Sequence, residues 1–236
     1  MQNLLSWQYD EFSGFALDFH DPTQVAAYDS RQNTKIENER ALVAALNLTS
    51  THTVIEYGCG TGAFTIAAAT ICEQVVAVDI SKAMLTYAQA KADAFGLRNI
   101  QFCQAGFLTY SHKANTADAI VTKYAFHHLP DFWKSIALAK MYRHLKLGGV
   151  LYIEDVIFSF HPNAYDQAIE EWISELTSKG MGFSRADFEA HVREEHSTYA
   201  WILEGLLEKA GFEIEQRDIS TPVYASYRCR KISNAQ

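Results

Sequence analysis

The chain has 236 residues, 48% of them hydrophobic, which suits one α/β domain carrying an insertion or a small appendage. Its formal net charge is −8 and its densest basic stretch is only Arg228-Cys229-Arg230-Lys231, so the basic surface of a duplex-binding protein is not visible and nucleic acid is disfavoured as a partner. No apolar run reaches the length of about 18 residues needed to span a membrane, and Met1 to Asp10 lacks the basic and apolar regions of a signal peptide, which points to a cytoplasmic protein.

The first 33 residues carry Trp7, Tyr9, Phe12, Phe15, Phe19 and Tyr28 ahead of any regular helix. Such an aromatic arm either closes over the domain as a lid or packs on a sheet edge or dimer contact. Ile36, Leu42, Val43 and Leu46, at mixed three- and four-residue spacings, predict an amphipathic helix over 34–47. A strand follows at 53–57, then a helix over 63–71 and a strand over 74–78 that ends in Asp79. Ser81 caps a helix that runs to about Phe95 and stops at Gly96. Residues 100–104 and 117–121 read as strands, separated by the polar loop 111–116. A helix over 131–146 ends at Leu147-Gly148-Gly149, and 150–158 is a fifth strand. Residues 160–195 break the rhythm: they read as helical, aromatic and charged, with a turn at Met181-Gly182-Phe183. The rhythm then resumes with a helix over 198–210, stopped by Gly211, and strands at 212–219 and 223–230 that suggest an antiparallel hairpin. Strands alternating with helices imply βαβ units and a parallel sheet. The division expected is an arm or lid over 1–33, a ligand-binding core over 34–158, a helical insertion over 159–197 that caps the substrate, and a C-terminal helix and hairpin over 198–236.

The most informative stretch is Val54-Ile55-Glu56-Tyr57-Gly58-Cys59-Gly60-Thr61-Gly62, where a buried strand meets an acid, three alternating glycines and a helix start. Glycine lets a backbone turn tightly and approach a ligand, and a strand, Gly-rich turn and helix make a nucleotide-sized site in a doubly wound sheet. The spacing is not the dinucleotide G-x-G-x-x-G, and no Gly-Lys-Ser/Thr follows to cradle phosphates. Asp79, at the end of the second strand, has two oxygens that match cis ribose hydroxyls; capping the next helix is its other reading. The four cysteines, Cys59, Cys72, Cys103 and Cys229, lack zinc-ligand spacing, as do His161, Glu170, Glu171, His191 and His196, so no metal is expected. Glu194-Glu195-His196 reads as a solvated face.

The E-x-G-x-G-x-G after a strand resembles motif I of the class I S-adenosylmethionine-dependent methyltransferases. Residues 120–131, with His127-His128-Leu129 and Asp131, resemble the fourth motif of that family, and the Leu-x-Gly-Gly turn fits as well. The resemblance covers about residues 36–158 well and the C-terminal hairpin moderately. It implies a Rossmann-like, seven-stranded α/β sandwich, mostly parallel, with a C-terminal antiparallel hairpin. S-adenosylmethionine would lie across the ends of strands one, two and four, contacting Gly58, Cys59 and Gly60. Glu56 would orient the loop and help hold the amino acid end, and Asp79 the ribose. Ile80 and Met84 would flank the adenine, or serve simply as core. Where the family usually has an adenine-binding acid this chain has Gly106, so backbone groups of Gly106 and Phe107 and the Phe107 ring would have to serve. Carbonyls around Thr122, Lys123 and Tyr124 would meet the methionine ammonium. Tyr28 would cover the sulfonium and Arg31 would pair with the carboxylate, unless the arm is only packing. His128 and Glu154 are the candidates for touching the acceptor. The activity implied is methyl transfer to a small molecule, mainly by proximity and in-line orientation, by a monomer or homodimer. The alternatives are a tRNA or protein acceptor, or a catalytically silent binder.

Overall fold

The computed structural model describes residues 5–13, Val25, Tyr28, 35–179 and 183–233. The first half alternates as its sequence pattern requires: α1 (Ile36–Ala45), β1 (Thr53–Tyr57), α2 (Ala63–Ala69), β2 (Gln74–Asp79), α3 (Lys82–Ala94), β3 (Ile100–Gln104), β4 (Ala117–Lys123), α4 (Asp131–His144) and β5 (Leu145–Phe158). The second half comprises α5 (Tyr165–Ser178), α6 (Arg185–Glu194), β6 (Thr198–Tyr199), α7 (Ala200–Lys209), β7 (Phe212–Thr221) and β8 (Tyr224–Lys231).

The sheet runs β3-β2-β1-β4-β5-β8-β7, with the two-residue β6 paired to the far end of β5. Its first five strands are parallel, and β8 is antiparallel to both β5 and β7. Inner strands are buried on both faces, which is why they read as continuous apolar runs. Alternation still sorts them: Val54, Val75 and Val121 pack on the face with Phe64 and Val43, while Ile55, Val76 and Ile120 pack on the face with Leu138, Met141 and Leu203. The chain leaves β1 towards β2 on one side and finds β4 on the other. That reversal of strand order opens a crevice at the carboxyl edge of the sheet, where open α/β sheets bind ligands.

Two boundaries differ from expectation. The Leu147-Gly148-Gly149 segment is not a turn ahead of β5 but a bulge inside it: Ala117 pairs with Leu145 and Ala119 with Val150, and Gly148 supplies the positive φ of 78°. The helix expected from Thr198 begins at Ala200, because Thr198 and Tyr199 first add parallel pairing to Ile157 and Phe158. Ser81 caps α3 as expected, its Oγ accepting from the Met84 N–H at 3.1 Å. The insertion forms two helices, and the second opens on a reciprocal capping box between Ser184 and Asp187. Met181 and Gly182, of the expected turn, lie outside the described residues, as does most of the arm.

Candidate functional site

β1 ends in a backbone built to approach a ligand. Gly58, Gly60 and Gly62 all have positive φ. At Gly58 the conformation is reinforced by crowding, since a Cβ would stand 2.3 Å from that of Ala125. At Gly60 the nearest atom to such a Cβ is Tyr28 Cε1, 4.0 Å away, so that glycine faces open space under the Tyr28 ring. Asp79 ties this loop to β2: Oδ2 accepts from the Gly60 N–H at 2.8 Å and Oδ1 from the Ser81 N–H at 2.8 Å. Asp79 thus organises the loop in addition to bordering the hollow, while the helix cap that was its other reading is supplied by Ser81.

One hollow runs from this loop over Ile80, Met84, Ala105, Gly106 and Phe107 to Lys123, Tyr124, His128 and Leu129. A second lies beside it, bordered by Glu56, Cys59, Glu39, Lys35 and Glu154. Tyr28, Gly58, Gly60, Lys123 and Tyr124 border both. The structure therefore brings every expected cofactor residue among those described to this edge of the sheet; Arg31 lies outside them. Phe107 contributes less than expected as a ring platform, because it is stacked on Tyr57 at 5.3 Å and set edge-on to Phe126 at 5.2 Å. The Gly106 N–H is engaged too, donating to Thr109 Oγ1 at 2.9 Å. Cys59 faces Ala77 and Leu85, and burial pushes its thiol well above the ordinary value.

The carboxylates around the two hollows are not equivalent. Glu56 is 4% exposed, accepts from the Thr65 hydroxyl, and is pushed up by burial to about 8, so it holds a proton at neutral pH. Lys123 is neutralised by Glu39, whose two oxygens lie 2.6 and 2.8 Å from Nζ. Glu11 and Asp79 add further carboxylates to the first hollow.

Glu154 and Asp155 take different sides of β5. Glu154 accepts from the Tyr124 hydroxyl at 2.8 Å and the Tyr152 hydroxyl at 3.2 Å. Asp155 turns beneath the His-His turn, where it accepts from the His127 N–H at 3.0 Å and lies 2.5 Å from His127 Nδ1. The other nitrogen of His127 is 3.0 Å from Glu195, which also lies 2.5 Å from His191 Nδ1. The solvated face expected at Glu194–His196 holds for Glu194 and His196, which are exposed, and is corrected at Glu195, which folds inward because the end of α6 is anchored on His127. Burial alone would lower the pKa of His127, but the flanking carboxylates raise it to about 9. Burial and the neighbouring imidazole push His128 down to about 3 and keep it neutral. His127, His128 and Glu195 could hold a metal, their donor atoms lying within 4.8 Å of one another, yet a doubly paired imidazolium already accounts for His127 and Glu195.

Sequence reasoning missed Glu11, the Glu39–Lys123 pair and the Asp155–His127–Glu195 chain. Of these, His127 carried a signal through the His-His-Leu stretch, and Asp155 as the neighbour of Glu154 at the carboxyl end of β5.

The profile described as a methyltransferase domain matches residues 54–149. An uncharacterized methyltransferase of Bacillus cytotoxicus is 32% identical over 161 residues, covering 68% of this chain and 69% of its own. One from Bacillus mycoides is 30% identical over the same spans. Among solved structures, a SAM-dependent methyltransferase from Aquifex aeolicus superposes with a TM-score of 0.64 at 18% identity, covering 89% of this chain and 98% of that one.

Proposed function

The chain belongs to the class I S-adenosylmethionine-dependent methyltransferases, and we propose that it methylates a small molecule seated beneath its N-terminal segment. When bound, S-adenosylmethionine supplies an activated methyl group on a sulfonium. The residues present fit that cofactor: a glycine loop whose open side a Cβ at Gly60 would enter, an apolar slot at Ile80 and Met84, and the carboxylates of Asp79 and Glu11 on the border of the hollow.

The observation that carries the acceptor class is the part of the first hollow bordered by Tyr9 and the His-His turn. Tyr9 borders it, donating its hydroxyl hydrogen to the His128 carbonyl at 3.0 Å and packing on Trp133 at 6.2 Å. Tyr124, His128 and Leu129 complete the walls. With the cofactor at Ile80, Met84 and Phe107, the part of the hollow bordered by these four residues is left for the acceptor, and a narrow apolar space with a few polar tips suits a small ligand better than a polymer. Catalysis needs the chain mainly to align a nucleophile and to exclude water. His128, neutral and weakly basic, serves as a hydrogen-bonding wall. Its neighbour His127, pinned between Asp155 and Glu195, keeps that wall in place. Glu154, held by two tyrosines, borders the other hollow and orients Tyr124.

The test is formation of S-adenosylhomocysteine from S-adenosylmethionine in three parallel assays, with a small-metabolite extract, with total RNA and with denatured protein. Turnover with the metabolites alone is expected. Turnover confined to RNA or protein would reject the acceptor class, and tight cofactor binding with no turnover in any assay would favour a silent binder.

A further inference from the structure

We propose that Glu11 is a cofactor-pocket residue: its carboxylate, delivered by the N-terminal segment, completes the end of β3 and accepts the hydrogen bond of the adenine amino group. The inference rests on the reading that the adenine lies in the slot over Ile80 and Met84.

After β3 the backbone turns once, with Tyr110 N–H bonded to the Gly106 carbonyl at 3.0 Å. The N–H groups of Leu108 and Thr109 are then the orphan donors of a first helical turn, which a side chain at the capping position ordinarily satisfies. The residue at that position is Gly106, which has no side chain to offer. Glu11 meets both donors instead: Oε2 accepts from Leu108 N–H at 2.9 Å, and Oε1 from Thr109 N–H at 2.7 Å and Thr109 Oγ1 at 2.6 Å. From the far side, Lys140 Nζ donates to the Leu108 carbonyl.

The carboxylate occupies the space of the missing side chain. A Cβ on Gly106 would lie 2.4 Å from both Cδ and Oε2 of Glu11. Gly106 is not among the glycines of positive φ, so its backbone does not demand glycine; the space does. Glu11 is 5% exposed and borders the same hollow as Ile80, Met84, Ala105 and Phe107. A carboxylate offers about four acceptor positions, and among the described residues three are used, leaving one on Oε2. A desolvated acceptor at the edge of an apolar slot selects a ring that presents an N–H there. A 6-amino purine does so, and a 6-oxo purine presents a second acceptor instead.

The experiment measures S-adenosylhomocysteine and S-inosylhomocysteine binding by calorimetry to the full-length chain, alongside thermal melting. The wild-type protein should prefer the 6-amino ligand. Glu11→Ala should weaken S-adenosylhomocysteine by about ten- to hundredfold, the range for a hydrogen bond to a charged partner, and bring the ratio between the two ligands towards one. Adding Gly106→Asp to Glu11→Ala should restore both affinity and preference, whereas Gly106→Asp alone should weaken binding by colliding with Glu11. A folded Glu11→Ala that binds like wild type overturns the proposal. So does equal weakening of both ligands, which would make Glu11 a capping group only. If Glu11→Ala does not fold, Glu11→Gln decides: it keeps an acceptor for the turn but should lose the preference, and an unchanged ratio overturns the proposal. Should the wild-type protein bind neither ligand, the cofactor reading itself falls, and that outcome is distinct from the others.

Discussion

The two ends of the cofactor hollow are built by opposite strategies. At β1 and β2 everything needed is close along the chain: three glycines, and an acid 19 residues beyond Gly60 that reaches back to its N–H. At β3 the turn is finished by a carboxylate 97 residues from Leu108. The first end tolerates no change in backbone but needs no distant help. The second has an ordinary backbone and depends on another segment being docked. The same contrast holds between the His-His turn, which follows β4 directly, and the Asp155 and Glu195 carboxylates that fix it from β5 and the end of α6.

Substitutions can break either side of this contrast. The largest effect is expected at Gly58→Ala, which combines a left-handed φ with a methyl 2.3 Å from Ala125. The strain and overpacking together should cost about 3–5 kcal/mol of folding stability, visible as a lowered denaturant midpoint with lost cofactor binding. A soluble variant that melts like wild type would show that the loop is not preorganised.

Glu195→Gln probes the composite side and should cost about 2–4 kcal/mol by leaving a buried imidazolium half-paired. Its pH dependence is the sharper readout. Glu195 sits below its ordinary value of 4.5, so its contribution is present above that pH and lost on acidification. His127 is raised from 6.5 to about 9, so its contribution is complete below 6.5 and lost as pH rises towards 9. The difference in melting temperature between wild type and variant should therefore peak between these ordinary values and shrink by pH 9. A flat difference would rule out the ion pair.

Asp79→Ala should weaken S-adenosylhomocysteine by about 1–3 kcal/mol, with a small loss of stability because Gly60 N–H and Ser81 N–H both lose an acceptor. Calorimetry showing full affinity would remove Asp79 from the site. Smallest of all, Tyr9→Phe deletes one hydrogen bond to the His128 carbonyl and should cost about 0.5–1.5 kcal/mol. Hydrogen exchange would place that loss in residues 5–13 and the 126–133 turn if the segment is docked there; unchanged protection in both would show that the bond does not persist in solution.

The same contrast explains what could be read in the sequence. β1, β2 and the glycine loop announce themselves because their requirements, β-branched runs and positive φ, act on neighbours in the chain. The insertion was legible as helical from its composition, though not in how it returns to the sheet. Glu195 looked like one of a run of exposed charges, and only the arrival of His127 makes it an interior group. Glu11 follows Asp10 in what reads as a plain acidic dipeptide. Its role depends on Gly106 having no side chain, a fact visible in the sequence only as a missing acid. The β5 boundary was misjudged because Gly148-Gly149 has the composition of a turn, while the pairing of Leu145 with Ala117 carries the strand through it.

The insertion leaves and re-enters the fold at almost the same place. Ile157 and Phe158, just before it, pair with Thr198 and Tyr199, just after it, and His196 N–H is bonded to the His127 carbonyl at 2.8 Å. α5 and α6 thus form a module standing on two fixed feet. Between the feet, Trp172, Ile173 and Leu176 of α5 pack on Val156 and Val223, and the Trp172 indole N–H donates to the Tyr224 hydroxyl at 3.1 Å. The two helices are thus held to the sheet at both ends of the insertion and along its length, so a change in either foot is felt at the His-His turn.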